Sequence, residues 1–400
     1  MKPTLRGAVG RDVCGSNART KAILFSDHCP SRSQGGEELV LREVLLGLAA
    51  RGWHCLLAYH EWGDLVPQYE KAGIVCRQLD LNPVRPSHPW RFAASVAKQV
   101  LWARREGVRL LHCNSYFRAA QAGAVKSVGG FPAVCQFHLP APEYLSRQYR
   151  WGLRQLEEFV AVSDCTAAEW STALRVPRGR IAVLHNPIDT NRFRPDDRAR
   201  GSVRRELGIP DHCLVLGYCG RLVREKGIDV LLRAMARLVA DHRAIRLLVI
   251  GSDAQNITLH GKRLEPELKA IALQLGIADR IDFLGLRADV ERCYNAMDIL
   301  VVPSICSEAF GLTVAEALAC GRPVVASRVG GIPEILTGPL EELLVPPNDD
   351  EALAAVLRRL IGDPQERARI GQLGRKIVQE RFGLVRYLDQ FEDLLQGMIR

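Results

Sequence analysis

Several protein classes are excluded by what this chain lacks. No stretch reaches the roughly 18 uninterrupted apolar residues that a membrane-crossing helix needs. The first twenty residues hold Lys2, Arg6, Arg11, Asp12 and Arg19 and no apolar run. A secretory signal is therefore not expected there, and a disordered tail over residues 1–20 is. The 12 cysteines are scattered without a Cys-x-x-Cys pair, and several, such as Cys55 and Cys219, sit in apolar runs. Buried, reduced thiols in a cytoplasmic protein fit this pattern better than zinc or disulfides. There is no Asp-x-Asp pair. No aromatic-plus-basic module of a nucleic-acid binder stands out, so nucleic acid is not an expected partner. Low-complexity runs and short-period repeats are also missing.

What is present suits a globular α/β protein. The 400 residues are 47% hydrophobic and 25% charged, enough for two or three domains with a core each. Charge is uneven: residues 1–200 carry a net +10 and residues 201–400 a net −1. A basic first half points to an anionic partner for that half, although scattered arginine serving solubility gives the same imbalance. Short β-branched runs alternate with longer amphipathic segments, the pattern of parallel sheets. Ala22–Phe25, Cys55–Ala58, Leu110–His112, Ala133–Gln136, Phe159–Val162 and Ile181–Leu184 read as one set of strands. A Pro- and Arg-rich stretch from Asn186 to Gly201 reads as a linker. Leu214–Tyr218, Leu247–Ile250, Ile281–Phe283, Ile299–Val302 and Pro323–Ala326 read as a second set. Two doubly wound, Rossmann-like domains facing across a cleft follow, with ligands beyond the strand carboxyl ends.

Three segments carry chemistry. Gly35-Gly36 precedes a helical pattern, where absent Cβ atoms and a helix amino terminus favour a phosphate; an ordinary strand-to-helix turn has the same composition. Arg221 and Lys226 lie in a turn bounded by Gly220 and Gly227. Arginine forks onto two phosphate oxygens and lysine supplies a compact charge, but a solvated basic turn would read alike. Ser307–Glu316 follows a buried strand and opens a helix between Glu308 and Glu316. The first-turn amides of Gly311, Leu312 and Thr313 are free donors. Glu308 can accept from sugar hydroxyls and Glu316 can bridge a ribose, unless it is only a helix-surface carboxylate. Gly330-Gly331-Ile332-Pro333-Glu334 is either another ligand turn or a plain one. His138, after the strand at Ala133, can line a cleft or be structural.

On these residues the chain resembles the retaining glycosyltransferases of family 4, which have the GT-B fold. The motifs are Gly220-Arg221-Leu222 with Glu225-Lys226-Gly227, Glu308-Ala309-Phe310-Gly311-Leu312 with Glu316-Ala317, Gly321–Ala326 and Gly330–Glu334. Gly35-Gly36, His138, Val162-Ser163 and Asn186–Asp189 match the family's order of landmarks in the first half. The resemblance implies an acceptor-binding domain over residues 21–190 and a donor-binding domain over 191–379, with a helix at about 380–400 packing back on the first. It implies that Arg221 and Lys226 hold the donor diphosphate and that Glu308 contacts the transferred sugar. Phe310, Gly311, Leu312 and Thr313 would offer backbone amides, Glu316 would bind the ribose, Gly35 and Gly36 would approach the diphosphate, and His138 would face the acceptor. Two departures stand out: Asp253 where the family often has glycine, followed by a longer Gln255–Glu265 segment, and Glu342 before Leu343–Pro347.

The expected activity is transfer of a sugar, a hexose by expectation, from a nucleoside-diphosphate sugar to a hydroxyl acceptor with retention of configuration. Neither metal nor cofactor is expected. The acceptor is expected to be a glycan or lipid-linked intermediate of cell-surface polysaccharide or lipopolysaccharide synthesis, met at an anionic membrane surface by a cytoplasmic, peripheral enzyme. A sugar phosphorylase or nucleotide-sugar epimerase on the same fold, or a catalytically silent sugar-nucleotide binder, stays open at this stage.

Overall fold

The computed structural model describes residues 21–32, 35–81, 88–242, 244–253 and 263–399. The expected tail at 1–20 and most of Gln255–Glu265 lie outside them. Among the described residues, thirteen strands form two parallel sheets. The first holds β1 (Ala22–Asp27), β2 (His54–Tyr59), β3 (Val75–Gln78), β4 (Leu110–Cys113), β5 (Ala133–Phe137), β6 (Glu158–Ala161) and β7 (Ile181–Val183) in the order β3-β2-β1-β4-β5-β6-β7. The second holds β8 (Leu214–Cys219), β9 (Ile245–Ile250), β10 (Ile281–Gly285), β11 (Ile299–Val302), β12 (Val324–Ser327) and β13 (Leu344–Val345) in the order β10-β9-β8-β11-β12-β13. Both are doubly wound, as expected of GT-B. Strands such as Ala22–Phe25 and Leu247–Val249 are buried along their length because helices cover both faces.

In each sheet the chain reverses its winding direction beside its first strand. β1 pairs on one side with β2 and on the other with β4, with Phe25 opposite His112. β8 likewise pairs with β9 and β11, with Leu216 opposite Ile299. Such switch points leave a crevice outside the carboxyl ends of the two central strands.

The chain divides into two compact units. One runs to Cys135 and adds Ser146–Glu157 and the residues from Leu395; the other holds Gln136–Leu145 and Glu158–Leu394. Two short strands, β3 and β13, escape sequence reading. β3 is half exposed and carries Arg77 and Gln78, and β13 is only two residues long, so neither shows a run of β-branched residues.

The proposed linker is partly helical: Asp197–Glu206 is a helix, capped by the Asp196 side chain accepting from Ala199 N–H at 2.9 Å. Its Arg200 and Arg204 both reach Asp298, each at 2.7 Å, while Asp298 also accepts from Val215 N–H at 2.7 Å. That shared carboxylate stitches the helix to the base of β8, which a polar composition does not foretell. The last helix starts later than 380. One helix ends at Arg381 and the next spans Leu384–Ile399. The break is held by Ile188, whose N–H donates to Phe382 carbonyl at 2.7 Å and whose carbonyl accepts from Leu384 N–H at 3.1 Å. Within the final helix, Tyr387 is buried and its hydroxyl accepts from Gln136 Nε2 at 3.3 Å.

Candidate active site

The second unit brings together most of the predicted residues at the carboxyl ends of β8 and β11. Past β8, Tyr218 Oη donates to the Arg221 carbonyl at 2.7 Å and pins the turn. Gly227 closes it at φ 63°, and a Cβ there would lie 2.1 Å from the Pro303 carbonyl oxygen. Only glycine allows that left-handed turn to press against the end of β11. Ile305 N–H donates to the Glu225 carbonyl at 2.9 Å and completes the seam.

This seam carries Lys226 to Glu308, with Nζ 2.5 Å from Oε1. Ser304 Oγ donates to the same oxygen. Among the described residues Oε2 accepts no hydrogen bond, so Glu308 is anchored by one oxygen and open at the other. Arg221 is exposed and makes no ion pair among the described residues. The main chain of Glu308 is held from behind by the Gly330-Gly331 turn. Gly331 N–H donates to its carbonyl at 2.8 Å, and a Cβ on Gly330 would lie 2.0 Å from that oxygen. The glycine pair is therefore a close backbone approach and not a plain turn.

The helix Leu312–Ala319 begins at Gly311, where φ is 105°, and no side chain caps it. Its first-turn amides are left to a ligand or water, and the helix dipole favours an anion there. Phe310 is 2% exposed, its ring against His185 and Phe382, so only its backbone can serve. Glu316 is more than a surface carboxylate: its Oε2 accepts from the buried Tyr294 hydroxyl at 2.8 Å. Burial, with Cys219 and Glu316 alongside, holds the Tyr294 phenol well above its usual range, so it stays protonated as a donor. Tyr294 and Ser304 were not predicted in these roles; Ser304, four residues before Glu308 at a strand end, was the only signal.

His138 is buried just after β5. Gly35 and Gly36 belong to the first unit, Gly36 opening the helix Gly36–Ala50. Asp253, the departure from the family pattern, caps the helix Leu264–Gln274: its Oδ1 accepts from Leu264 N–H at 2.7 Å and Glu265 N–H at 3.2 Å.

Glu334 has a role that sequence left undecided. It accepts from Asp164 N–H, Cys165 N–H and His185 Nε2, each at 2.9 Å. Burial alone would raise its pKa, but these three donors hold it below the ordinary glutamate value of 4.5. The carboxylate thus sits on the amino end of the helix Asp164–Leu174, a favourable place for negative charge. That helix in turn braces the site: Thr166 Oγ1 donates to the Ala309 carbonyl at 3.0 Å, and Ser307 Oγ donates to Glu169 at 2.8 Å. Asp164, His185 and Glu334 lie close enough to share a cation, but both oxygens of Glu334 are already taken and Asp164 pairs with Arg178 at 2.5 Å. The eleven described cysteines are free, most are buried, and burial pushes the Cys219 thiol up to about 12.

Residues 200–377 match the family described as glycosyl transferases group 1, and residues 34–192 match glycosyltransferase family 4. A D-inositol 3-phosphate glycosyltransferase of Saccharomonospora viridis is 32% identical over 390 residues, spanning 91% of this chain and 89% of the relative. This chain belongs to the group 1 glycosyltransferases. A second relative of this transferase, named likewise, from Corynebacterium jeikeium, is 42% identical over 198 residues, 48% of this chain and 46% of that protein. Among solved structures, Anabaena HepE in complex with UDP-glucose is similar with a TM-score of 0.81 and 25% identity, over 94% of the transferase and 99% of HepE. A glycosyltransferase from Rickettsia africae shares the fold, with a TM-score of 0.82 and 21% identity over 95% and 98% of the two chains.

Proposed function

We propose that the transferase moves a hexose from a uridine-diphosphate sugar to a hydroxyl acceptor with retention of configuration. The Lys226–Glu308 pair carries this reading, because it sets a cation and a half-free carboxylate side by side at a strand switch point. Arg221, Lys226 and the amides of Gly311, Leu312 and Thr313 meet the diphosphate, and Glu308 Oε2 takes a hydroxyl of the transferred sugar. Glu316, oriented by Tyr294, holds the ribose. Gly35 and Gly36 serve the diphosphate in the same reading, and His138 serves the acceptor.

As the bond from the anomeric carbon to the leaving phosphate oxygen breaks, negative charge grows on the diphosphate. Preorganised donors that need no rearrangement stabilise it. The acceptor oxygen bonds to the same face of the anomeric carbon, and the departing phosphate oxygen takes its proton. The complex of HepE with UDP-glucose supports the choice of nucleotide. Calorimetric titration with UDP and UDP-glucose, followed by donor turnover in excess EDTA, tests this. Binding and EDTA-resistant turnover are expected. Failure to bind either ligand overturns the donor assignment, and an absolute need for magnesium or manganese overturns the metal-free mechanism. Glucose 1-phosphate formed from donor and inorganic phosphate would favour a phosphorylase instead.

A glycan or lipid-linked acceptor at the cytoplasmic membrane face belongs to the same reading. No described helix is long and apolar enough to cross a membrane. The first unit does present a basic face with an aromatic: in the helix Arg147–Arg154, Arg147, Trp151 and Arg154 are exposed. Indole and guanidinium groups suit an anionic headgroup layer. Co-sedimentation with anionic vesicles is expected at low salt and should weaken at high salt. Absence of binding at low salt would leave a soluble acceptor.

A further inference from the structure

The first sheet has a switch-point crevice of its own. β1 ends at Asp27, the neighbouring β4 ends at Cys113, and the helix Gly36–Ala50 starts above them. A cavity of about 290 Å³ opens there, lined by Asp27, Glu37, Glu38, Phe117, Arg118 and Tyr149 among others. This is the size of a small-molecule site for a monosaccharide or cyclitol.

The cavity is built around buried carboxyl groups that are short of hydrogen-bond donors. Asp27 is 2% exposed, and its Oδ2 has no hydrogen-bond partner among the described residues. A buried carboxylate oxygen without a donor is costly unless a ligand supplies one. The Glu37 carboxyl has a long bond from Asn114 Nδ2, at 3.4 Å, and a hydrogen bond with the Ser115 side chain. Burial raises the Asp27 carboxyl to about 6 against the opposing effects of the His28 N–H and Arg118, and burial with the charges of Glu38 and Asp27 holds Glu37 well above its ordinary range. Three carboxyl groups thus face one guanidinium, and that one is partly committed: Arg118 Nη1 donates to the Leu81 carbonyl at 2.9 Å. His28 adds little positive charge, because burial and Arg118 lower its pKa. Phe117 and Tyr149 meet edge to face with centroids 5.9 Å apart and offer aromatic surface beside the carboxylates.

We propose that this cavity binds the accepting unit of the acceptor, and that this unit, free or at the end of a glycan, is polyhydroxylated and bears a protonated amine, received by Asp27 and Glu37. The assignment rests on the glycosyltransferase reading. A phosphate would meet more carboxylate than guanidinium. A neutral polyol would satisfy Asp27 Oδ2 without compensating its charge. An ammonium group does both, and the adjoining aromatic rings attract it as well. The acceptor chemistry therefore differs from the phosphate-bearing one in the names of the curated relatives.

The test is calorimetric titration of the full chain, with and without UDP, using two matched sets: inosamine, myo-inositol and inositol phosphate, and glucosamine, glucose and glucose phosphate. In at least one set the amine should bind about tenfold tighter than the alcohol, as for one charge-assisted hydrogen bond, and the phosphate no tighter than the alcohol. Asp27→Asn should erase the amine's advantage while UDP affinity is unchanged, and Glu37→Gln should reduce it. Tighter binding of the phosphate, equal binding of amine and alcohol in both sets, no binding of any of the six, or an amine preference that survives Asp27→Asn overturns the proposal. UDP that binds without an amine preference counts against the cavity assignment alone. An amine preference without UDP binding counts against the donor reading alone.

Discussion

Glu308→Ala is expected to lower kcat about a hundredfold or more, the scale of removing one preorganised polar partner of a transition state. Two losses combine in this variant. The Oε2 contact to the transferred sugar disappears, and Lys226 loses the partner 2.5 Å away that aims it at the diphosphate. Both interactions tighten as charge separates, so the effect should fall on kcat. Glu316→Ala should behave differently. The ribose does not change during transfer, and binding that is equal in ground and transition states affects KM and not kcat. A rise in donor KM equivalent to about 1–3 kcal/mol is expected for that charged hydrogen bond. Steady-state kinetics on both variants, with circular dichroism as the folding control, separate the two. If Glu308→Ala keeps a wild-type kcat while Glu316→Ala abolishes it, the sugar and ribose roles are reversed. If neither changes anything while transfer persists, the site lies elsewhere.

Glu334→Gln should destabilise the second unit by about 1–3 kcal/mol near neutral pH, the range for hydrogen bonds to a charged group. The carboxylate holds the amino end of the helix Asp164–Leu174 and His185 together. Its folded pKa is depressed below 4.5, so its stabilisation is fully present above that value and is lost as pH falls through the folded pKa. The gap between wild type and variant should therefore be largest near neutral pH and close in acid. Thermal midpoints measured at about pH 7 and about pH 3.5 give both points. A variant that melts with wild type near neutrality, or a gap that widens in acid, contradicts this account. Because that helix braces Ala309 and Ser307, a milder fall in activity should accompany the loss of stability.

Individual elements show where sequence reading ran out. Leu247–Ile250 and Ile299–Val302 were legible because strands buried on both faces are unbroken apolar runs. β13 was not, since two residues show no period. The helix Asp197–Glu206 hid in a polar stretch because its anchor, Asp298, lies almost a hundred residues further on. In the candidate site, Glu308 and Lys226 could be named from their motifs, but the motifs do not say that they touch. Glu316 could be named for the ribose, with a helix-surface carboxylate as the alternative, but Tyr294, its buried partner, had no mark in the sequence. Asp27 and Glu37 drew no notice either. One ends an apolar strand and the other follows a glycine pair, and neither spacing says that their carboxyls share a cavity.

By itself the sequence determined the alternation of strands and helices, the two sets of strands, and the local turns, because these follow from apolar periodicity and from glycine at positions of close approach. It also determined the family, through short motifs that each lie within one loop. Only the tertiary structure decided which loops meet. Lys226 and Glu308 are 82 residues apart and become neighbours because β11 pairs with β8. Asp27 and Arg118 share a cavity because β4 pairs with β1. Strand order in a parallel sheet is set by long-range packing of whole βαβ units, and the charge balance of each crevice follows from that order and not from the charge of either half of the chain. The basic first half pointed to an anionic partner, yet the ionisable side chains lining its switch-point cavity include three carboxyl groups against one guanidinium.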